Sequence, residues 1–308
     1  MNKITIGIPK VLLYYKYGNL WTIFFEELGC NVLLSPNTNK KILDDGIKLS
    51  MDEACIAMKI YLGHVNYLID KCDYILVPRI KCLKKHEKLC TNFSCLYDLI
   101  NNLFNVEIIN YNVDTENSES ELYGFISMGL SLGFHYKQAL HAYKVAKKKD
   151  EMLNIRKRNK QKSKLVNDKI KILLAGHPYN LYDDMLGKKI INMLEDNNIE
   201  IIYSDSYDTK YLEKDVVNIS KRNYWTYNKE IIASVSYYQD MVDGIILVTA
   251  FPCGPDSLSN EMIVRSVNIP IIELIMDDNN SNTGFETRIE SFIDILEERK
   301  KSYGRENY

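Results

Sequence analysis

Seven cysteines stand in this 308-residue chain, and three of them occupy positions where a thiol gains reactivity. Cys253 follows the apolar run GIILVTA and precedes Gly254, Pro255 and Asp256, which open a helix. A thiol there meets free main-chain N–H groups and the positive end of a helix dipole, both of which favour thiolate, the form that attacks or binds metal. The competing reading is a small residue buried in a tight turn. Cys55 lies in MDEACIAMK at the start of an expected helix, and Cys90 lies in KKHEKLCTNFSC, after the strand-like YILVPR and a charged loop. Three thiols from separate loops, each near a helix start, could converge on one cleft. A cubane cluster held by three thiolates would leave one iron open to water, sulfide or substrate. A rival set, Cys72, Cys82, Cys90 and Cys95, places four thiols in a short stretch but lacks the CxxC pairs of structural zinc. Cys30, beside Gly29, reads as a small core residue.

Polar companions have both a functional and a plain structural reading. GHPYNLYD follows a strand end, which would put His177, Tyr179 and Asn180 at the mouth of a cleft as substrate or neighbouring residues. Arg79, closing YILVPR, could meet an anionic group or pair with an acidic neighbour. Asp256 and Ser257 are good helix-capping types and could also hydrogen-bond a cluster. His64, at a helical position in IYLGHVNYL, reads as a satisfied core histidine. No residue is assigned as a catalytic base.

The elements that must position these groups alternate. Strand-like runs at 4–8, 31–35, 74–78 and 106–110 are separated by helical patterns at 20–28, 51–69 and 97–103. After a helical stretch the alternation restarts, with strands at 171–175, 200–203, 244–249 and 270–276 and helices at 185–196, 229–241, 258–266 and 285–301. Such alternation means βα units and parallel sheets. The expected architecture is α/β, with two parallel-sheet lobes: residues 1–117, a helical connector over 118–168, and residues 169–308. Two such lobes normally leave a cleft facing the carboxyl ends of their strands.

Composition narrows the classes further. Hydrophobic residues make up 46% and charged residues 26%, the globular balance. Net charge is -2, which gives no general affinity for nucleic acid or membrane. Between Lys144 and Lys164 ten basic residues face two acidic ones, a run read as a solvated helix joining two domains. No run of about 18 apolar residues exists. The start MNKITIGIPK reads as a strand rather than a signal peptide, so a cytoplasmic location and free thiols are expected. GxxxxGK[ST], GxGxxG after a strand and HExxH do not occur.

The segments GIPKVLLYYKYGNLWTIFFEELGC, DEACIAMKIYLGHVNYLI, DYILVPRI, GHPYNLYD and FPCGPDSL, in this order, resemble the acyl-CoA dehydratase activase-related proteins. Those in turn are similar to the cluster-bearing subunits of 2-hydroxyacyl-CoA dehydratases and to the double-cubane cluster proteins. The resemblance runs from Gly7 to about Leu296. It implies flavodoxin-like lobes and a [4Fe-4S] cluster whose ligands, from the DEAC, KLC and CGPDS motifs, are Cys55, Cys90 and Cys253. Three matching cysteines are too few for a double cubane within one chain. The resemblance further implies low-potential electrons from a separate ATP-dependent activase, used for radical dehydration or reduction of an acyl-CoA. A homodimer or a related sister subunit would then be a partner. Two alternatives stay open: reduction of another small molecule, and a non-catalytic electron-transfer or cluster-carrying role.

Overall fold

Apolar runs of four to nine residues, each bounded by turns, pair side by side into two sheets. The computed structural model describes residues 3–278 and 282–306. The chain divides into a first unit, residues 1–155 with 224–226, and a second, residues 156–223 with 227–308. In the first unit the order is β1 (Thr5–Ile8), α1 (Tyr14–Glu27), β2 (Asn31–Leu34), α2 (Lys40–Leu49), α3 (Ile56–Leu68), β3 (Tyr74–Cys82), α4 (Thr91–Leu103), β4 (Ile108–Asp114) and α5 (Glu121–Ser131). Helix α6 (Tyr136–Lys164) follows, and the unit boundary falls within it. The second unit continues with β5 (Lys171–Gly176), α7 (Pro178–Tyr182), α8 (Lys188–Asp196), β6 (Glu200–Tyr203), α9 (Leu212–Val216) and α10 (Thr226–Tyr238). It closes with β7 (Gly244–Ala250), α11 (Gly254–Ser266), β8 (Ile271–Met276) and α12 (Asn282–Glu306).

Each unit holds one four-stranded, wholly parallel sheet, ordered β2-β1-β3-β4 in the first and β6-β5-β7-β8 in the second. The α/β class with two parallel sheets is therefore as the alternation predicts. All seven residues of β7 are buried, as a strand covered by helices on both faces requires. In each sheet the chain leaves the central pair, β1/β3 or β5/β7, in opposite directions. That reversal opens a crevice outside the carboxyl ends, where open α/β sheets bind ligands.

Boundaries differ from the sequence reading where a helix start is masked by polar residues. The helix expected over 51–69 begins only at Ile56, leaving Cys55 as its cap rather than a residue of its first turn. Helix α2 contains Gly46, which lowers helix propensity. It forms because Asn39 caps it, accepting from the Ile42 N–H at 3.1 Å, and because Ile42 and Leu43 bury against neighbours. The basic run is helical through to Lys164.

Helices α2 and α3 pack backbone to backbone. A methyl group on Gly46 would lie 1.8 Å from the Lys59 carbonyl oxygen, and one on Gly63 would lie 2.0 Å from that of Ile42. Eleven of the thirteen residues of α3 are buried. This contact fixes the axis of α3, and with it the position of Cys55 at its start. Gly63→Ala is expected to destabilise the protein by about 1–3 kcal/mol or more, because neither facing carbonyl can yield without moving a helix. Urea unfolding of this variant beside Gly133→Ala, whose cost is backbone strain at φ 84° with open space around it, checks that the loss is steric.

Candidate functional site

All three cysteines singled out by the sequence occupy N-cap positions: Cys55 on α3, Cys90 on α4 and Cys253 on α11. None makes the side-chain capping hydrogen bond that Ser, Thr, Asp or Asn would make there. Helices α4 and α11 follow strands directly, so their first turns lie at the carboxyl edges of their sheets. Helix α3 runs back to the start of β3, so its first turn lies at that edge too.

In the first unit Cys55 and Cys90 are neighbours. Asn92, in the first turn of α4, points its Nδ2 at Cys55 Sγ, 3.7 Å away. Burial pushes the Cys55 thiol up, and the nearby Cys90 pushes the same way. The N–H groups of Met58 and Ala57, with the Asn92 amide, act in the opposite sense because they favour sulfur carrying negative charge. The loop ahead of Cys90 is held by main-chain pairing: the Lys88 N–H donates to Tyr224 O at 2.7 Å, and the Thr226 N–H donates to Lys88 O at 3.2 Å. The structure thus supplies two soft sulfur donors on adjacent helix starts, with N–H groups facing one of them. That donor chemistry fits an iron–sulfur cluster better than a hard cation.

In the second unit Cys253 sits in a buried polar network. Cys253 hydrogen-bonds Asp256, whose Oδ1 also meets His177 Nε2 at 2.8 Å and accepts from Asn228 Nδ2 at 2.8 Å. Asp256, His177 and Asn228 are all buried. Burial works to raise the Asp256 carboxyl, but His177, Asn228 and Cys253 outweigh it and hold the group below its ordinary value. His177 caps α7 at the end of β5, and Cys253 caps α11 at the end of β7, so the pair straddles the central strands of this sheet. The ring of Tyr179 stacks on His177, 5.1 Å between centroids and 12° between planes. Ser257 is exposed and donates to Cys253 O at 2.8 Å, fixing the turn. Asn180 is fully buried, and neither of its amide atoms has a hydrogen-bond partner among the described residues.

Other candidates resolve into structural roles. Arg79 pairs with Asp98 at 3.3 Å and donates to Ser94 O at 3.2 Å. His64 is fully buried, with Nδ1 2.7 Å from Ser35 Oγ and Nε2 2.9 Å from Thr38 Oγ1. Both ring nitrogens are occupied, as a satisfied core histidine requires. The four-thiol zinc set is not assembled: Cys72 precedes β3 and Cys82 ends it, an extended separation of about 30 Å. Cys72 Sγ lies instead over Gly7. Cys82 groups with Asp114 and Glu116, whose ligand atoms lie within 4.8 Å of one another, but Lys88 already neutralises Glu116. Asn92 and Asn228 escaped the sequence reading because a lone asparagine near a helix start looks like a cap or turn residue.

A family model described as the CoA enzyme activase uncharacterised domain matches residues 5–207, about two thirds of the chain. No curated protein matches the chain. Among solved structures the chain is similar to the SBP FpvC of P. aeruginosa in complex with Ni2+, at 11% identity and TM-score 0.31 over 98% of each chain. It is similar to a Zn(II)-bound AdcAII variant of Streptococcus pneumoniae, at 12% identity and TM-score 0.30 over 96% of this chain and 99% of that one. A third is the laminin-binding protein Lbp of Streptococcus pyogenes, at 10% identity and TM-score 0.29, covering 96% and 98%. At such TM-scores these likenesses carry no argument. Among the described residues no helix is long and apolar enough to cross a membrane.

Burial, with a smaller push from Lys10, lowers the His64 pKa from 6.5 to about 3. The unfolded chain therefore binds a proton between those values that the folded chain refuses, so stability falls as pH drops below about 6.5. The expected slope from this residue is about 1.4 kcal/mol per pH unit. Urea unfolding of the natural chain and His64→Gln at about pH 7 and about pH 5 checks it: the variant should lack that part of the slope.

Proposed function

The chain belongs to the family of the CoA enzyme activase uncharacterised domain, and on that premise we propose that it is an iron–sulfur protein working with a CoA-dependent enzyme system. Cys55, Cys90 and Cys253 are the proposed ligands of a [4Fe-4S] cluster. The observation that carries the reading is the shared placement of these thiols, each the cap of a helix at the carboxyl edge of a parallel sheet. When bound, such a cluster supplies one-electron transfer and an iron open to a further ligand. The protein's own part is positional. Asn92 and the N–H groups of Met58 and Ala57 face the Cys55 sulfur and would stabilise it as thiolate. Asp256, held by His177 and Asn228, fixes the turn that presents Cys253.

In this reading a separate ATP-dependent activase supplies low-potential electrons, used for radical dehydration or reduction of an acyl-CoA. The family's description favours a second reading, in which the chain carries electrons for a CoA enzyme without a substrate of its own. Turnover of a 2-hydroxyacyl-CoA with activase and ATP separates the two.

Protein purified without oxygen should hold about four irons and four acid-labile sulfides per chain and give a reduced-cubane EPR signal with dithionite. Cys55→Ala, Cys90→Ala and Cys253→Ala should each lose most of the iron, while Cys30→Ala should keep it. Full iron in all four variants would refute the ligand set, and an iron-free protein after anaerobic reconstitution would refute the cluster.

A further inference from the structure

The basic end of α6 is not used by the cysteine chemistry, yet it walls a cavity of about 380 Å³ in the second unit, within the usual range for small-ligand pockets. Lys157, Lys160 and Lys164 lie on one face of the helix by their i, i+3, i+7 spacing and line the cavity with Tyr182, Tyr203 and Glu195. Tyr203 ends β6 and Tyr182 closes α7, while Glu195 lies in the last turn of α8 and Lys164 reaches the start of β6, so the cavity runs along the edge strand β6. The two rings are 5.6 Å apart between centroids and inclined by 41°.

The wall is built rather than incidental. Gln161, itself buried, clamps the end of β6 to α6: its Nε2 donates to Tyr203 O at 2.9 Å, and its Oε1 accepts from the Tyr203 N–H at 2.8 Å. Tyr182 OH donates to Asp205 Oδ1 at 2.8 Å, and Lys157 pairs with the same carboxylate. Lys164 pairs with Glu200 at 3.0 Å. Lys160 is exposed and makes no ion pair among the described residues, so one cation at the rim is left for an anion. Glu195, in the last turn of α8, adds an acceptor suited to ribose hydroxyls.

We propose that this cavity binds the nucleoside diphosphate part of a ligand: its base against Tyr182 and Tyr203, its ribose at Glu195 and its phosphates at Lys160. Free ADP and the nucleotide end of CoA share this chemistry. The inference rests on the cavity alone and does not require the cluster.

Isothermal titration calorimetry on the full chain with ADP, CoA, adenosine and inorganic phosphate tests it. ADP and CoA should bind, and both should outbind adenosine and phosphate. Lys160→Glu should weaken both by about tenfold or more, since an exposed side chain can be reversed without loss of fold. Tyr203→Leu should weaken both as well, and adenosine with them. Tighter binding of CoA than of ADP would identify CoA as the occupant; equal binding would identify a free nucleotide. No binding of either at about 1 mM, or binding that Lys160→Glu leaves unchanged, would overturn the proposal. So would inorganic phosphate binding as tightly as ADP, or a single-stranded RNA outbinding both. Cys55→Ala should retain ADP binding and Lys160→Glu should retain iron, so failure of one reading is distinguishable from failure of the other.

Discussion

When every strand of a sheet runs in one direction, the helices between them must return to the opposite edge before the next strand begins. The first turn of a returning helix therefore lies at the carboxyl edge, with unpaired N–H groups pointing outward. Both sheets of this protein obey that rule throughout. It is why residues as distant in sequence as Cys55 and Cys90 come to adjacent helix starts, and why His177 and Cys253 flank the central strands of the second sheet. The chemistry-bearing positions are thus a consequence of strand direction before any side chain is considered.

Such an edge is hostile to unpaired buried charge, and the second unit meets that constraint with donors. Asp256 is 3% exposed, and a carboxylate at that depth needs partners on every side. His177, Asn228 and Cys253 provide them from three separate elements. The first unit solves a different problem, how to bring two helices close enough to fix a cap, by using glycines in place of side chains at the crossing. Polar satisfaction in one unit and steric economy in the other reach the same end, a cysteine held at a defined place.

Much of this was legible in the residues. GIILVTA could only be a buried strand, and FPCGPDSL read correctly as a strand-end turn opening a helix, whereas GHPYNLYD, read as a turn, itself carries the short helix α7. The placement of Cys90 and Cys253 just before helices followed from the same pattern, whereas Cys55 was read inside a helix and proves to be its cap. Helix α2 was not legible, because KKILDDGIKL has a glycine where a helix wants alanine, and the reason for that glycine is the backbone of α3. Asn92 and Asn228 were invisible because a carboxamide declares its role only through the group it touches. The tyrosines beside the basic run were also hidden: within Lys144–Lys164 no aromatic appears, and Tyr182 and Tyr203 arrive from other elements. Proximity in three dimensions overruled a correct statement about one dimension.

The segment Tyr224–Thr226 belongs to the first unit although the chain on either side of it belongs to the second. Its pairing with Lys88 is what steadies the loop before Cys90. A ribosome releases this chain from its amino end, so Lys88 emerges well before its partner. Six of the eight strands among the described residues are already synthesised when residue 226 appears. The nascent first unit thus waits, with one loop unpaired, for a piece of chain that arrives only after much of its neighbour has been made.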